Sequence, residues 1–525
     1  MMATVEKGKV YLDDFLGQFS VTGRYHVLTA VLLALLYAPN SVYYVNYIFV
    51  AEEAGYHCKD NTLDDILNDT SRSKEWKGCS SSRSHCSEWI YDYPDSFVAE
   101  FDLACQEWKR TLVGTVHSFG YMLGLLIVGP LSDRYGRKTL LVITAVLGAS
   151  CGLTRSFITN YWLYISVEFL EAVIGDPTSP AYMLSIEMVA TEKRVLFIYM
   201  TNFGYIVGGI MFPLTYWLVP YWRTFLRVIY IPGLFFIFYS FFVDESPRWL
   251  LIKGRKDAAV SILKSAAKIN KIKLDAEELD NIHYEEEEGA SFGKMLSDTF
   301  RSKTMLKRFF VCSVWWIAST FVNHGLTINS VTLQGNKYIN YALTSIIDVP
   351  ANIIKTLILI KFKRKMPLVT TFVACAVLCV FQPFVSDDLP WLSITVYMAG
   401  KFMSSLYFTI TYIFTSELFP TYIRNSMHAL CSSVGRIGSI VAPQTPLLLA
   451  YWSGLPATVF GLVSLTAGLL TLLVPDTADN SLPDTVLQAE TLDQHLEDPK
   501  IKTRDKKERS RLSPMFIDVC YYYLL

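Results

Sequence analysis

Apolar residues in this chain run in blocks of about twenty, separated by short polar loops, rather than alternating at the period of a half-buried strand. An α-helix rises about 1.5 Å per residue, so about twenty residues cross a hydrocarbon layer roughly 30 Å thick. Twelve blocks fit: 25–49, 112–131, 139–156, 161–188, 195–218, 225–243, 309–328, 338–360, 367–385, 391–415, 427–450 and 455–474. Two long polar stretches interrupt the series, 51–110 after the first block and 251–307 after the sixth. The pattern predicts an all-α membrane protein of twelve transmembrane helices in two six-helix halves, 25–250 and 308–474. A linker at 251–307 joins them, with an N-terminal segment at 1–24 and a tail at 475–525.

Composition agrees with a bilayer as solvent. Of 525 residues, 52% are apolar or aromatic and 18% charged, with a mean hydropathy of +0.30. Lys plus Arg (47) and Asp plus Glu (48) nearly cancel, which leaves no basic field for a nucleic-acid backbone. Loop cations set the orientation. Arg134, Arg137 and Lys138, then Lys193 and Arg194, then Lys361, Lys363, Arg364 and Lys365 fall on one side if both termini are cytoplasmic, although Arg223 runs against the trend. The expected location is the plasma membrane. No cleavable signal peptide is expected, because 1–24 lacks an apolar core.

On that topology the 51–110 loop is extracellular. Its four cysteines, Cys58, Cys79, Cys86 and Cys105, predict two disulfides whose pairing the sequence leaves open. Asn68-Asp69-Thr70 in the same loop is a glycosylation sequon. The other cysteines show no paired ligand spacing, so no metal site and no cofactor are expected. The linker alternates Lys and Glu with Ala, Leu and Ile and includes Glu285 to Glu288, which predicts short surface helices.

The loop after the second block reads Gly129-Pro130-Leu131-Ser132-Asp133-Arg134-Tyr135-Gly136-Arg137-Lys138. Asp with several cations at a helix end can bond a neighbouring helix terminus, and such a contact holds one end closed in one state and breaks in another. Asp133, Arg134, Gly136 and Arg137 are therefore the gating candidates. The string resembles the signature of the major facilitator superfamily, which implies two halves rocking about a central site. Asp244-Glu245-Ser246-Pro247-Arg248-Trp249-Leu250, Ser416-Glu417-Leu418-Phe419-Pro420-Thr421 through Arg424-Asn425, and the long cysteine-bearing first loop resemble the organic cation, organic anion and carnitine transporter family. The chain departs from that family in two places. The second-half signature is reduced to Lys361-Phe362-Lys363-Arg364-Lys365, and the fourth block is acidic, with Glu168, Glu171, Asp176 and Glu187.

Charges inside a span are costly and face protein or a water-filled cavity. Glu187 with Arg194 resembles a structural ion pair of the family. Glu168 either titrates as a proton-coupling group or pairs with an Arg; the coupling ion expected for the carrier is H+ or Na+. Asp176 precedes Pro177, where helix continuity is open. Asp348 occupies the acidic position of a family pattern, and Asn352 and Lys355 share its helix face at i+4 and i+7. Arg436 stands where anion and carnitine-like members have Arg; it either holds a substrate carboxylate through two parallel hydrogen bonds or neutralises an acid of the fourth or eighth block. Trp316 sits at a family cavity position and offers an indole face to an ammonium; Asn323 and His324 follow it on the same block. Lys401 is a structural partner or a substrate contact. Together these residues predict a carrier of small organic ions working by alternating access, with a zwitterion of carnitine-like or amine-derived type favoured and an organic cation second. A non-transporting sensor is the alternative of a different class, and no enzyme constellation is recognised among the eight His and ten Cys.

Overall fold

A computed structural model describes residues 10–58, 88–273, 279, 282–283, 301–351, 354, 358, 364–386, 388–420 and 423–476. The first half contains α1 (Arg24–Tyr43), α2 (Glu107–Tyr135), α3 (Arg137–Arg155), α4 in two pieces (Tyr161–Ile174 and Thr178–Glu187), α5 (Arg194–Leu218) and α6 (Trp222–Leu234). The second half contains α7 (Lys303–Asn329), α8 (Lys337–Ile346), α9 (Lys365–Phe381), α10 (Pro390–Leu418), α11 (Arg424–Val441) and α12 (Leu455–Thr471). Each predicted span is represented.

Seven helical runs among the described residues are long and apolar enough to cross a membrane: those of α1, α2, α3, α5, α6, α7 and α9. Of the remaining five, α4, α10 and α11 carry Glu168 and Glu171, Lys401, and Arg436, and Asp348 lies just past α8. The two pieces of α4 (14 and 10 residues), α8 (10) and α12 (17) are too short to count as single spans.

Local signals place the helix ends. Asn160 caps α4 by accepting from the N–H groups of Trp162 and Leu163 at 2.9 and 3.1 Å, and Asn336 caps α8 in the same way. The continuity of α4 breaks at Gly175-Asp176-Pro177, where Asp176 Oδ1 accepts from the N–H and hydroxyl of Thr178. Close approach needs glycine at Gly204 of α5, where an added Cβ would stand 1.9 Å from the Ala34 carbonyl oxygen of α1.

The apolar core is divided unequally. One cluster includes Phe49, Phe97, Phe212 and Trp222 from the first half and Trp315, Tyr341 and Tyr407 from the second. The other is built on the first half and the segments attached to it, with Phe15, Phe19, Phe197 and Leu263. In the linker, Lys256–Asn270 is a surface helix as expected, burying Val260, Leu263, Ala266 and Ala267 on one face. Most of the rest of the linker, including Glu285 to Glu288, lies outside the described residues, as does the tail from 477 onward.

In the 51–110 loop, Tyr56–Cys58 and Trp89–Tyr91 pair antiparallel, and Cys105 is disulfide-bonded. Cys79, Cys86, Asn68 and the side chain of Cys58 lie outside the described residues.

Candidate functional site

Two ends and a middle make up the site. At the end carrying the Gly129 to Lys138 string, Gly136 adopts φ +108°, and a Cβ there would come within 2.3 Å of Glu245 Oε2. That turn aims the first N–H groups of α3 at Glu245, whose Oε1 accepts from Arg137 and Lys138 N–H at 2.9 and 3.0 Å. Burial pushes the Glu245 carboxyl up from the ordinary carboxylate range, against the lowering pull of these donors. Arg137 bonds Asp133 at 2.6 Å and Glu187 at 3.0 Å, so Glu187 is engaged by α3, while Arg194 Nε donates to the Ile186 carbonyl. The Arg134 guanidinium lies 5.3 Å from the Tyr135 ring centre. A Cβ on Gly129 would meet nothing within 4 Å, so this glycine is not serving a close helix contact.

The second half repeats the arrangement despite its reduced signature. Arg364 Nε bonds Glu417 at 3.1 Å, and the Arg364 N–H donates to Asp476 at 3.3 Å. Arg364, Glu417 and Asp476 thus stand where Arg137, Glu187 and Glu245 stand in the first half.

Asp133 is 72% exposed at its side chain, so its ion pair with Arg137 contributes about 1 kcal/mol at most. We expect Asp133→Ala to slow turnover several-fold with little loss of initial substrate binding, because it acts on the two-state equilibrium and touches no group of the central site. Transport rate per surface-expressed molecule, set beside equilibrium binding, checks this.

At the opposite end the halves are joined. Lys337 of α8 bonds Glu52 at 2.6 Å. Gln444, in the 3-10 turn after α11, accepts from Thr111 at 2.9 Å and donates to Thr115 at 2.6 Å, both on α2. Phe49 stacks on Tyr338 at 5.5 Å, and Phe212 meets Tyr341 edge-on at 5.2 Å.

Between the ends tyrosines converge on Arg436: Tyr44, Tyr121, Tyr205 and Tyr412 all lie within its electrostatic reach. Tyr182 of α4, Tyr205 of α5 and Tyr412 of α10 keep 44, 43 and 36% exposure. The Arg436 guanidinium sits 5.1 Å from the centre of the Tyr121 ring, and Tyr44, which meets Tyr121 at 5.4 Å, also touches His324 of the other half at 5.6 Å. No carboxylate lies within 4.0 Å of Arg436 among the described residues. The acids that could have neutralised it are occupied elsewhere: Glu168 and Glu171 bond Arg155, and Asp348 accepts from Ser405 at 2.5 Å. Asp176 takes Asn40 and Thr178 on Oδ1, leaving its buried Oδ2 without a hydrogen-bond partner among the described residues.

Three sequence candidates form one chain. Lys401 donates to Asn323 Oδ1 and to Thr327 at 2.9 Å each; Asn323 donates to Ser404 and Ser405 at 3.2 and 3.4 Å; and Ser405 reaches Asp348. Asn352 and Lys355 lie outside the described residues. Trp316 departs from the expected open face. It is fully buried, its indole N–H bonds Thr415 at 3.1 Å, and Tyr412 and His428 pack on it at 4.2 and 5.2 Å. Gly435 of α11 permits this close seat, since a Cβ there would be 2.8 Å from Trp316 Cβ.

Glu168 has Arg155 as its ion-pair partner and accepts or shares a hydrogen bond with His117 Nδ1 at 2.7 Å. Around Arg155 gather Glu171 at 2.6 Å, Tyr230 at 2.6 Å and Tyr164 at 3.2 Å, and Tyr230 donates onward to Glu171 at 2.6 Å.

These features can be set against known proteins. The profile described as "Sugar (and other) transporter" matches residues 68–484. The "Organic cation transporter protein" of Drosophila melanogaster is 31% identical over 456 residues, covering 84% of this chain and 81% of that protein. The chain belongs to the organic cation transporter family. "Solute carrier family 22 member 1" of Bos taurus is 29% identical over 524 residues, 92% of this chain and 93% of the relative. The inward-open xylose transporter of E. coli superposes with a TM-score of 0.58 at 17% identity, over 89% of this chain and 98% of that one, which identifies the major facilitator fold.

In this organic cation transporter family member, sequence reasoning left unremarked the tyrosine cluster and the Arg155 and His117 members of the buried network. Arg155 and His117 carried a usable signal, being ionisable residues inside apolar spans. The tyrosines carried none, because their convergence depends on helix rotation.

Proposed function

We propose that the protein carries a small organic zwitterion across the plasma membrane by alternating access, with the Cys-bearing loop outside and both termini in the cytoplasm. The observation that carries this reading is Arg436, a guanidinium inside the bundle with no carboxylate beside it among the described residues. Such a group is held ready for a carboxylate, which it can take through two parallel bonds. An ammonium finds electron-rich rings on Tyr205 and Tyr412 and the free Oδ2 of Asp176. Asp348 and Lys401 are tied together through Ser405 and Asn323 and leave that side of the central site balanced in charge. On this topology the joined end is extracellular and the central site faces the cytoplasm.

A second reading, an organic cation without the carboxylate, draws on Asp176 and the acidity of α4. The test is uptake into cells expressing the protein of three labelled compounds: a zwitterion, its decarboxylated amine, and a dicarboxylate of similar size. We expect zwitterion accumulation well above that of control cells. Uptake of the amine alone supports the second reading, and uptake of the dicarboxylate alone overturns both.

A further inference from the structure

The buried network beside the central site has an odd charge. Arg155 supplies one positive charge, Glu168 and Glu171 supply two negative ones, and a neutral His117 adds none. The three ionic side chains of α3 and α4 are almost wholly out of solvent, and His117 is nearly so. A net charge in such a place costs several kcal/mol and is relieved by taking up one proton.

The other polar and titratable groups that face the cluster do not supply the missing positive charge. Just past α1, Asn46 donates to the Tyr230 hydroxyl at 3.0 Å, and Tyr43 stacks on the Tyr230 ring. From α3 comes Cys151, from α4 Tyr164 and Asp176, and from α6 Tyr230. Arg223 of α6, also within electrostatic reach of Tyr164, is bonded to Glu100 at 2.6 Å. His324 of α7 stands on the far side of Tyr44.

A proton has a seat and a route to a consequence. His117 Nδ1 and Glu168 Oε1 lie 2.7 Å apart, the spacing of a shared proton. His117 packs edge-on against Tyr44 at 5.5 Å, and Tyr44 in turn touches Tyr121, the ring beneath Arg436, and His324 of the other half. His117 also shares α2 with Thr111 and Thr115, which bond Gln444 across the joined end. A change at His117 therefore bears on both the central site and the contact between the halves.

We propose that His117, Glu168 and Glu171, grouped around Arg155, bind one exchangeable proton, and that this proton is a second ligand of the transport cycle. It enters from water onto the His117–Glu168 pair in one arrangement of the halves and leaves in the other. Its binding shifts the equilibrium between the two arrangements, and by linkage that equilibrium sets its affinity. The inference rests on the carrier reading but not on which organic ion is carried.

The test uses no substrate. In the full-length protein bearing Gln444→Cys, reconstituted in vesicles, the labelling rate by a membrane-impermeant thiol reagent is measured from about pH 5.5 to 8.5, with the protein lacking that substitution as background. We expect a several-fold change with the steepness of a single proton. Glu168→Gln and Glu171→Gln, added separately, should each flatten the profile, since either one leaves one positive and one negative charge and no need for a proton. His117→Gln should displace the profile along the pH axis without abolishing it. A flat profile in the parent, or the parent's profile retained in either Glu→Gln variant, overturns the proposal. A negative result here leaves the zwitterion reading standing, and failure of the uptake panel leaves this measurement valid.

Discussion

Arg155→Ala is expected to destroy the folded carrier rather than tune it. Arg155 is fully buried and holds Glu168, Glu171, Tyr164 and Tyr230 together. Its removal strands two carboxylates and empties the space between α3, α4 and α6. Breaking a buried pair from one side costs about 3–5 kcal/mol, a large fraction of the stability of an ordinary domain. We expect little protein at the cell surface and a much lower thermal midpoint in detergent. The triple variant Arg155→Leu with Glu168→Gln and Glu171→Gln should recover most of the loss, because replacing every member of a buried ionic group with neutral residues is often close to neutral. An Arg155→Ala protein as stable as the parent would show that the network is not a structural tie.

The second large effect is one of selectivity. Arg436→Ala should reduce uptake of a zwitterion far more than uptake of its decarboxylated amine, since only the former loses a charge-assisted partner. The expected loss is about 2–5 kcal/mol for a desolvated pair, roughly 30-fold to a few thousand-fold in transport efficiency. Arg436 rests on the Tyr121 ring with no carboxylate in ion-pair contact among the described residues, and Asp176, the acid within its electrostatic reach, keeps its bonds to Asn40 and Thr178 when the guanidinium is removed. Equal sensitivity of the two compounds would assign Arg436 to packing against Tyr121 and favour the cation reading.

The helical blocks were legible because burial in lipid leaves a run of apolar residues that needs no knowledge of neighbours. The Asp133 to Arg137 string was legible as a unit because its members are neighbours in sequence: Arg137, the first residue of α3, reaches back across the Gly136 turn to Asp133 in the last turn of α2. The second-half counterpart was harder to see, since Glu417 and Asp476 reach Arg364 from distant points in the chain. The sequence singled out Arg436, Asp348, Asn323 and Lys401 as charges or amides inside spans, but it could not say that three of them join and one stands apart. That distinction depends on the rotation of α7, α10 and α11 about their axes. Trp316 was misjudged for the same reason: its chemistry suits an ammonium, while its helix face turns it into α10 and α11. Glu168 was left between two roles by sequence, and the structure gives it an ion-pair partner and a histidine together.

Alternating access is the claim on which the rest depends, and it is tested most directly at the joined end. A Cβ added at Gly209 of α5 would lie 3.2 Å from Ser345 Cβ of α8 across the two halves, near the roughly 3.5–4.5 Å of a disulfide and one turn from the Phe212–Tyr341 contact, so the Gly209→Cys, Ser345→Cys double variant should cross-link under mild oxidation and hold that end shut. The measurement is uptake of whichever compound of the three-member panel the parent protein carries, before oxidation, after it, and after reduction. Our account predicts that cross-linking arrests uptake, that reduction restores it, and that neither single variant responds. Undiminished uptake through a fully cross-linked protein would contradict it.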